Sequence, residues 1–541
     1  MANTYDAIVI GGGHNGLTSG AYFARAGAKT IVLEAQGHVG GAAYSSNPFP
    51  DHPDVRVTTY SYVVSLVPPT IINELGLKKF GYNIIPFGPY FQAYPDGRAV
   101  TVYADDAQKS YESIAQFSKK DADTMEEWET WLAGVANILG PLLLRVPPKM
   151  GATDPAALLA SAETAWKVRK LGVRGVASAT KLFTMSVTDL LNEWFESDAV
   201  KGMLTVNGCI GTWAGPDEPG TAYVMLHHSI GDVGDGHLGS WGFQEGGMGA
   251  VSECFGQAAR SFGCEVRVNA KVAKILTQGG RVRGVVLDGG EEIYAPVVVT
   301  TIHPQIAFLQ LLDRSELPPD FVRDMENWRT RSGVVKVNVA ISELPKFTSM
   351  KKAKDTQHLT GSVELCFSTD YAERAFQDAH IEHKGADRPF VDGTIPTSLV
   401  GGLGDLSKGI HVFSMFTQWV PQEWHTEPHR EELDAYANRI FDVYNELAPN
   451  FRNAIVDYQV IGPYDMEQNV GLLGGNIFSG ELAVDQLFHM RPAPGYADYR
   501  TPVKGLYHGS CATHAGGGIN GIPGWQAFRQ AKKDKMVRSS G

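Results

Sequence analysis

The chain has 541 residues, 43% of them hydrophobic and 20% charged, with a formal net charge of −12. That is the composition of a globular chain large enough for several cored domains, and its acidity leaves nucleic acid no electrostatic footprint. The five scattered cysteines (Cys209, Cys254, Cys264, Cys366, Cys511) form no C-x-x-C pair and no metal-ligand spacing, which excludes dithiol chemistry, a disulfide framework and a bound metal.

Tyr5–Ile10 reads as a buried strand. It runs into Gly11-Gly12-Gly13-His14-Asn15-Gly16, a G-x-G-x-x-G turn, then a helix of small residues from Leu17 and a second strand, Thr30–Leu33, ending in Glu34. Gly11 permits the tight turn, Gly13 lets backbone approach a pyrophosphate, and Gly16 lets the helix pack close to the sheet. The helix N-terminus favours phosphate, and an acid at the second strand's end accepts ribose hydroxyls and disfavours a 2′-phosphate. Gly40-Gly41 follows the acid, with Ala35 and Ala42 beside it. No basic, apolar leader precedes the first strand and no apolar run is long enough to span a bilayer, so a cytoplasmic protein is expected.

From about residue 78 the chain changes character. Pro95–Gly97 signals a hairpin turn, residues 106–200 read as mostly helical, and Ala133–Leu144 is an apolar stretch interrupted by Pro141. Residues 133–149 are therefore the candidate lid or peripheral contact with a membrane surface, the alternative being a buried helix broken at Pro141. His227, His228 and His237 are read as structural, the alternative being that they line a site. Helix Ala250–Ser261 is followed by three short alternating segments, Cys264–Asn269, Val272–Thr277 and Arg281–Leu287, with a hairpin at Gly279-Gly280, and by the apolar run of Glu292–Ile302. Ser332–Ser342 reads as an alternating strand carrying Lys336, and Glu431–Leu447 as an amphipathic helix. The C-terminal GLYHGSCATHAGGGING is a second glycine-rich unit feeding a helix, so a cofactor site can be closed from both ends of the chain.

These segments together (GGGHNGLTSG, EGGMG with its hairpin and VVVTTIHP, and GLYHGSCATHAGGGINGIPG) resemble the carotenoid (phytoene) desaturase-like branch of the flavin amine oxidase superfamily. GGNIFSGELAVDQLFHMRP at 474–492 is similar to its phytoene-dehydrogenase-related sub-branch. The resemblance implies an α/β fold: a discontinuous Rossmann-type FAD-binding domain (1–75, 235–300, 461–541) interleaved with a mixed α+β substrate domain (76–234, 301–460). It implies non-covalent FAD held by Gly11, Gly13, His14, Asn15, Gly16, Glu34, Ala35, Gly40, Gly41, Ala42, Val272, Gly509, Ser510, Gly518 and Ile519. The expected activity is oxidation or desaturation of an apolar, isoprenoid-like substrate, with oxygen or a quinone as electron acceptor. An amine or alcohol oxidase, and a flavin protein with a regulatory role, are the alternatives. SGVVKVNVA is similar to the amine oxidase strand whose lysine is bonded through water to the flavin, which makes Lys336 the catalytic candidate; the alternative is an ordinary surface lysine.

Overall fold

The computed structural model describes residues 3–236 and 238–537. Strand Ala7–Ile10 is the centre of a parallel five-stranded sheet ordered Glu265–Arg267, Thr30–Leu33, Ala7–Ile10, Val297–Thr300, Leu506–His508. Its two faces are covered by different layers. Val9, Val32 and Val299 pack with helices His14–Arg25, Gly247–Ser261 and Ile522–Lys533, and Tyr22 and Phe23 meet Phe528 with ring centroids 5.6 and 5.1 Å apart. Ile8, Ile31 and Val298 pack instead with Phe308, Phe321 and Met325. Burial on both faces is why these short strands are continuously apolar rather than alternating.

Of the three short segments after helix Gly247–Ser261, Cys264–Asn269 contributes Glu265–Arg267 to the edge of the parallel sheet, and the next two form the expected hairpin about Gly279-Gly280. One expectation is corrected here. Glu292–Ile302 is two strands, because Pro296 ends the ladder: Glu292–Tyr294 extends the hairpin, while Val297–Thr300 enters the parallel sheet.

A second, seven-stranded sheet is ordered Ile455–Ile461, Val334–Ile341, His411–Gln418, Phe390–Thr394, Ser362–Leu365, Tyr90–Ala93, Ala99–Val102. Its last two strands are the hairpin around Pro95–Gly97. Strand Val334–Ile341 is buried along its whole length, so its alternation does not mark a solvent face. Val335, Val337 and Val339 share a core with Tyr436, Ile440 and Tyr444 of helix Arg430–Leu447. Lys336 and Asn338 occupy the other face.

Residues 106–200 are mostly helical, as expected, but Pro141 breaks nothing. A single helix runs Lys119–Leu143 with Pro141 in its last turn, where the missing N–H costs the one bond to the carbonyl four residues before it and the helix ends two residues later. Its C-terminal end is tied to the glycine-rich C-terminal unit: the Leu142 carbonyl lies 3.1 Å from His514 Nε2, and the Leu144 carbonyl accepts from Gln526 Nε2 at 2.6 Å. The exposed apolar side chains come just after it, on helices Pro155–Arg169 and Gly172–Thr184. Leu158, Leu159, Trp166 and Val173 are each more than half exposed. No helix among the described residues is long and apolar enough to cross a membrane.

Candidate active site

One cavity of about 930 Å³ runs from the parallel sheet to the seven-stranded sheet. Of the expected cofactor residues, Gly11, Gly13, His14, Asn15, Glu34, Ala35, Gly40, Gly41, Ala42, Val272, Gly518 and Ile519 line it. Three do not. Gly16 sits behind the wall, where a Cβ would fall 1.9 Å from the Gly11 carbonyl oxygen; it serves helix–turn packing. Gly509 donates its N–H to Thr300 at 2.8 Å, and Ser510 Oγ is engaged within its own turn by His508 Nε2 and the Ala512 N–H.

The wall fits a dinucleotide. A Cβ on Gly13 would meet nothing nearer than the Gly40 carbonyl at 3.9 Å, so its place in the wall is open. Helix His14–Arg25 begins there, offering free N–H groups. The Glu34 carboxylate is held by the N–H groups of Gly12 and Gln36 at 2.6 and 2.8 Å, fixed at the end of its strand. His14 Nε2 and Asn15 Oδ1 are buried without partners at this turn, and burial pushes the His14 pKa down to about 4, so it is a neutral ring. At the C-terminal side, Cys511 also lines the cavity, with its sulfur 3.4 Å from Asn15 Nδ2.

Beyond Gly41 the wall changes. Tyr60–Leu66, Phe87, Tyr90, Ile210, Trp241 and Phe416 make a mostly apolar and aromatic chamber. Tyr62 stacks on Phe416 with centroids 5.5 Å apart. His227 and His228, read from sequence as structural, are in this wall, and His237 lies outside the described residues. Burial lowers the pKa of His227 to about 3 and of His228 to about 4. Asp392 was missed. Its signal is an acid inside the apolar strand Phe390–Thr394, opposite Glu364 in strand Ser362–Leu365. Tyr62 donates to Asp392 at 2.5 Å, and burial raises the pKa of both carboxyls.

Lys336 is buried and is not part of the cavity wall itself. It donates to Ser414 Oγ at 2.7 Å and to Asn338 Oδ1, and Asn338 Nδ2 donates to the Thr59 carbonyl at 3.1 Å, one residue before the wall segment that starts at Tyr60. Burial pushes its pKa down to about 7. The reading as a surface lysine is therefore excluded; its place relative to the cofactor is taken up below.

Residues 9–69 match the NAD(P)-binding Rossmann-like domain, and residues 192–399 match the flavin containing amine oxidoreductase family. The chain has the fold of putrescine oxidase in complex with putrescine (TM-score 0.62, 16% identity, covering 99% of this chain and 100% of that one). It is 21% identical to the lycopene-forming phytoene desaturase of Pantoea ananas over 95% of this chain and 96% of the relative. The fold and its cofactor cradle define an FAD-dependent oxidoreductase of the flavin amine oxidase superfamily. Similarity to pyridine nucleotide-disulfide oxidoreductase domain-containing protein 2 of Rattus norvegicus is much higher, 35% identity over 98% of this chain and 94% of the relative. The chain belongs to that protein's family. The disulfide chemistry in the family's name has no residues here, since all five cysteines are free and none pairs with another.

Proposed function

We propose that the protein binds FAD non-covalently along Glu34, Gly11–Gly13, Gly40–Ala42 and Ile519, and oxidises or desaturates a substrate with a largely apolar body held in the adjoining chamber. The observation that carries this reading is the continuity of one cavity from the dinucleotide cradle to the aromatic wall of Phe87, Tyr90, Trp241 and Phe416. FAD, when bound, supplies a hydride acceptor. In this reading residues 1–75, 235–300 and 461–541 hold the cofactor, and residues 76–234 and 301–460 enclose the substrate. The relative named as a phytoene desaturase supports an apolar, isoprenoid-like substrate. Oxygen or a quinone is the acceptor we propose.

Lys336 is proposed to place its Nζ on the cofactor side of the seven-stranded sheet, where a cation or proton donor stabilises charge that develops on the cofactor. The chamber, not solvent, is what its face of the sheet looks toward: its cross-strand partner Phe416 is in the wall.

The candidate membrane contact, weighed at 133–149 against a buried helix, is proposed instead at the exposed side chains of 150–176. There four basic residues (Lys167, Arg169, Lys170, Arg174) stand against two acidic ones (Asp154, Glu163), in a chain whose net charge is −12. An apolar patch with local positive charge suits an anionic lipid surface. Anaerobic mixing of the purified flavoprotein with panels of isoprenoids, amines and alcohols tests the proposal. Bleaching of the flavin by a substrate with an apolar body is expected; bleaching confined to small polar compounds would overturn it.

A further inference from the structure

Helix Thr221–His228 ends in the chamber wall, and its last residue is a histidine with one ring nitrogen already committed. His228 Nδ1 lies 2.9 Å from the Val224 carbonyl and 3.1 Å from the Asn207 carbonyl of the neighbouring helix Asp198–Cys209. A carbonyl oxygen only accepts, so both contacts are hydrogen bonds only when Nδ1 carries the proton. Burial lowers the pKa of the ring to about 4, which keeps it neutral. A neutral imidazole has a single N–H, so Nε2 is left as a bare acceptor. Among the described residues no protein group donates to it. The other wall histidine differs. His227 has both ring nitrogens enclosed and without partners, so nothing in the protein fixes its tautomer.

The groups around His228 decide what kind of donor suits it. The rings of Trp241 and Phe478 stand 5.9 and 6.1 Å from its own, so its surroundings are largely apolar. The carboxyl of the chamber, Asp392, is already met by Tyr62 and Ser362. The charge that reaches this corner is positive. Arg491 is fully buried and donates to main-chain carbonyls, among them those of Phe478 and Cys511. After burial and His228, its charge helps to lower the pKa of His227, whose ring is 5.6 Å from that of His228. A cationic donor is repelled by that charge, whereas a neutral one is not. We infer that His228 Nε2 accepts a hydrogen bond from a hydroxyl group of the substrate, so that the chamber takes an otherwise apolar molecule carrying an alcohol. This rests on the proposed substrate role of the chamber and names the class of molecule that fills it. A ligand without the hydroxyl leaves the acceptor unpaired among apolar groups, and that cost is the source of the discrimination.

The test is calorimetric titration of the FAD-loaded protein with 1-octanol and with heptyl methyl ether at neutral pH. The two molecules have the same number of heavy atoms, and only the alcohol donates a hydrogen bond. The alcohol is expected to bind about tenfold more tightly, the scale of leaving one buried acceptor unpaired. His228→Asn sets an amide N–H where Nδ1 stood, so it can still meet the Val224 and Asn207 carbonyls, and puts nothing in the place of Nε2. It is expected to lose the preference while holding FAD, and flavin absorbance reports that it is folded. Equal binding of alcohol and ether by the unaltered protein, no binding of either, or a preference that survives His228→Asn overturns the assignment. Because the titration reads binding rather than turnover, an alcohol preference without flavin bleaching by any compound would instead sink the oxidation reading and leave the hydroxyl site standing.

Discussion

Lys336 and Phe416 are register partners across antiparallel strands, so they share one face of the seven-stranded sheet, and Phe416 lines the chamber. Among the described residues the lysine's amine has only Ser414 and Asn338 as partners and no carboxylate. A group with this much burial and so little compensation has a reason to be there, and the proposed reason is the cofactor. Lys336→Met is expected to retain FAD and to slow flavin reduction or reoxidation about a hundredfold, the scale of removing one aimed electrostatic group. Stopped-flow rates of the two half-reactions decide it; if neither changes, Lys336 has no part in the chemistry.

The same residue gives a pH prediction. Its pKa is pushed down from the ordinary 10.5 to about 7 in the folded chain. Between these values the unfolded chain binds a proton that the folded one does not, so stability from this site rises with pH across that window. Below about pH 7 both states are protonated and the burial cost is present in full. Thermal melting of Lys336→Met against the unaltered protein should therefore favour the variant most at pH 6, with the gap shrinking towards pH 10. A gap that does not depend on pH would show that the lysine is not held in this environment.

Two glycines of the same turn should behave differently. Gly13→Ala adds a methyl group facing open cavity and is expected to give folded protein with weaker FAD binding. Gly16→Ala places a methyl group against the Gly11 carbonyl and is expected to prevent folding. Circular dichroism separates fold from cofactor loss. If Gly13→Ala holds FAD as tightly as before, the pyrophosphate does not pass this turn.

Cys511 lies in the cavity wall with its thiol pKa raised by burial to about 11, which leaves it a poor nucleophile at neutral pH. Acid precipitation is expected to release all of the yellow chromophore into the supernatant. Colour retained in the pellet would show a covalent attachment.

Replacing Leu158, Leu159, Trp166 and Val173 with serine is expected to abolish flotation with anionic liposomes while leaving FAD content unchanged. These side chains are 56–90% exposed, so the fold loses little from their removal. Flotation unchanged by the substitutions, or absent from the unaltered protein, returns the patch to an ordinary surface.

The strand–turn–helix–strand unit at the start of the chain was legible because its signals are local. Gly11–Gly16, Glu34 and Gly40–Gly41 stand at short spacing, and short range is what a sequence displays directly. The substrate half was not, because its wall is assembled from residues far apart. Tyr62 meets Asp392 across 330 positions, and nothing in the spacing of either announces the other. Asp392 and Glu364 are each one acid in an apolar strand, a pattern that gains meaning only once the strands are set side by side. Lys336 was found by likeness to a strand, and its environment became clear only when that strand proved to be covered on both faces. Nothing in the spacing of Ser510 announced that its hydroxyl is engaged within its own turn by His508 and the Ala512 N–H.

The parallel sheet joins Ala7–Ile10 to Leu506–His508 through Val297–Thr300. On the ribosome, the first strand and its glycine turn emerge long before the edge strand and the closing helix Ile522–Lys533 exist. A nascent chain therefore carries an incomplete cradle until Leu506–His508 and helix Ile522–Lys533 have both been made, so cofactor capture is expected to follow their synthesis. A chain that stops before Leu506 leaves Val297–Thr300 as an open sheet edge and uncovers the face of the first helix that meets Ile522–Lys533, features that quality-control proteases and chaperones are suited to recognise.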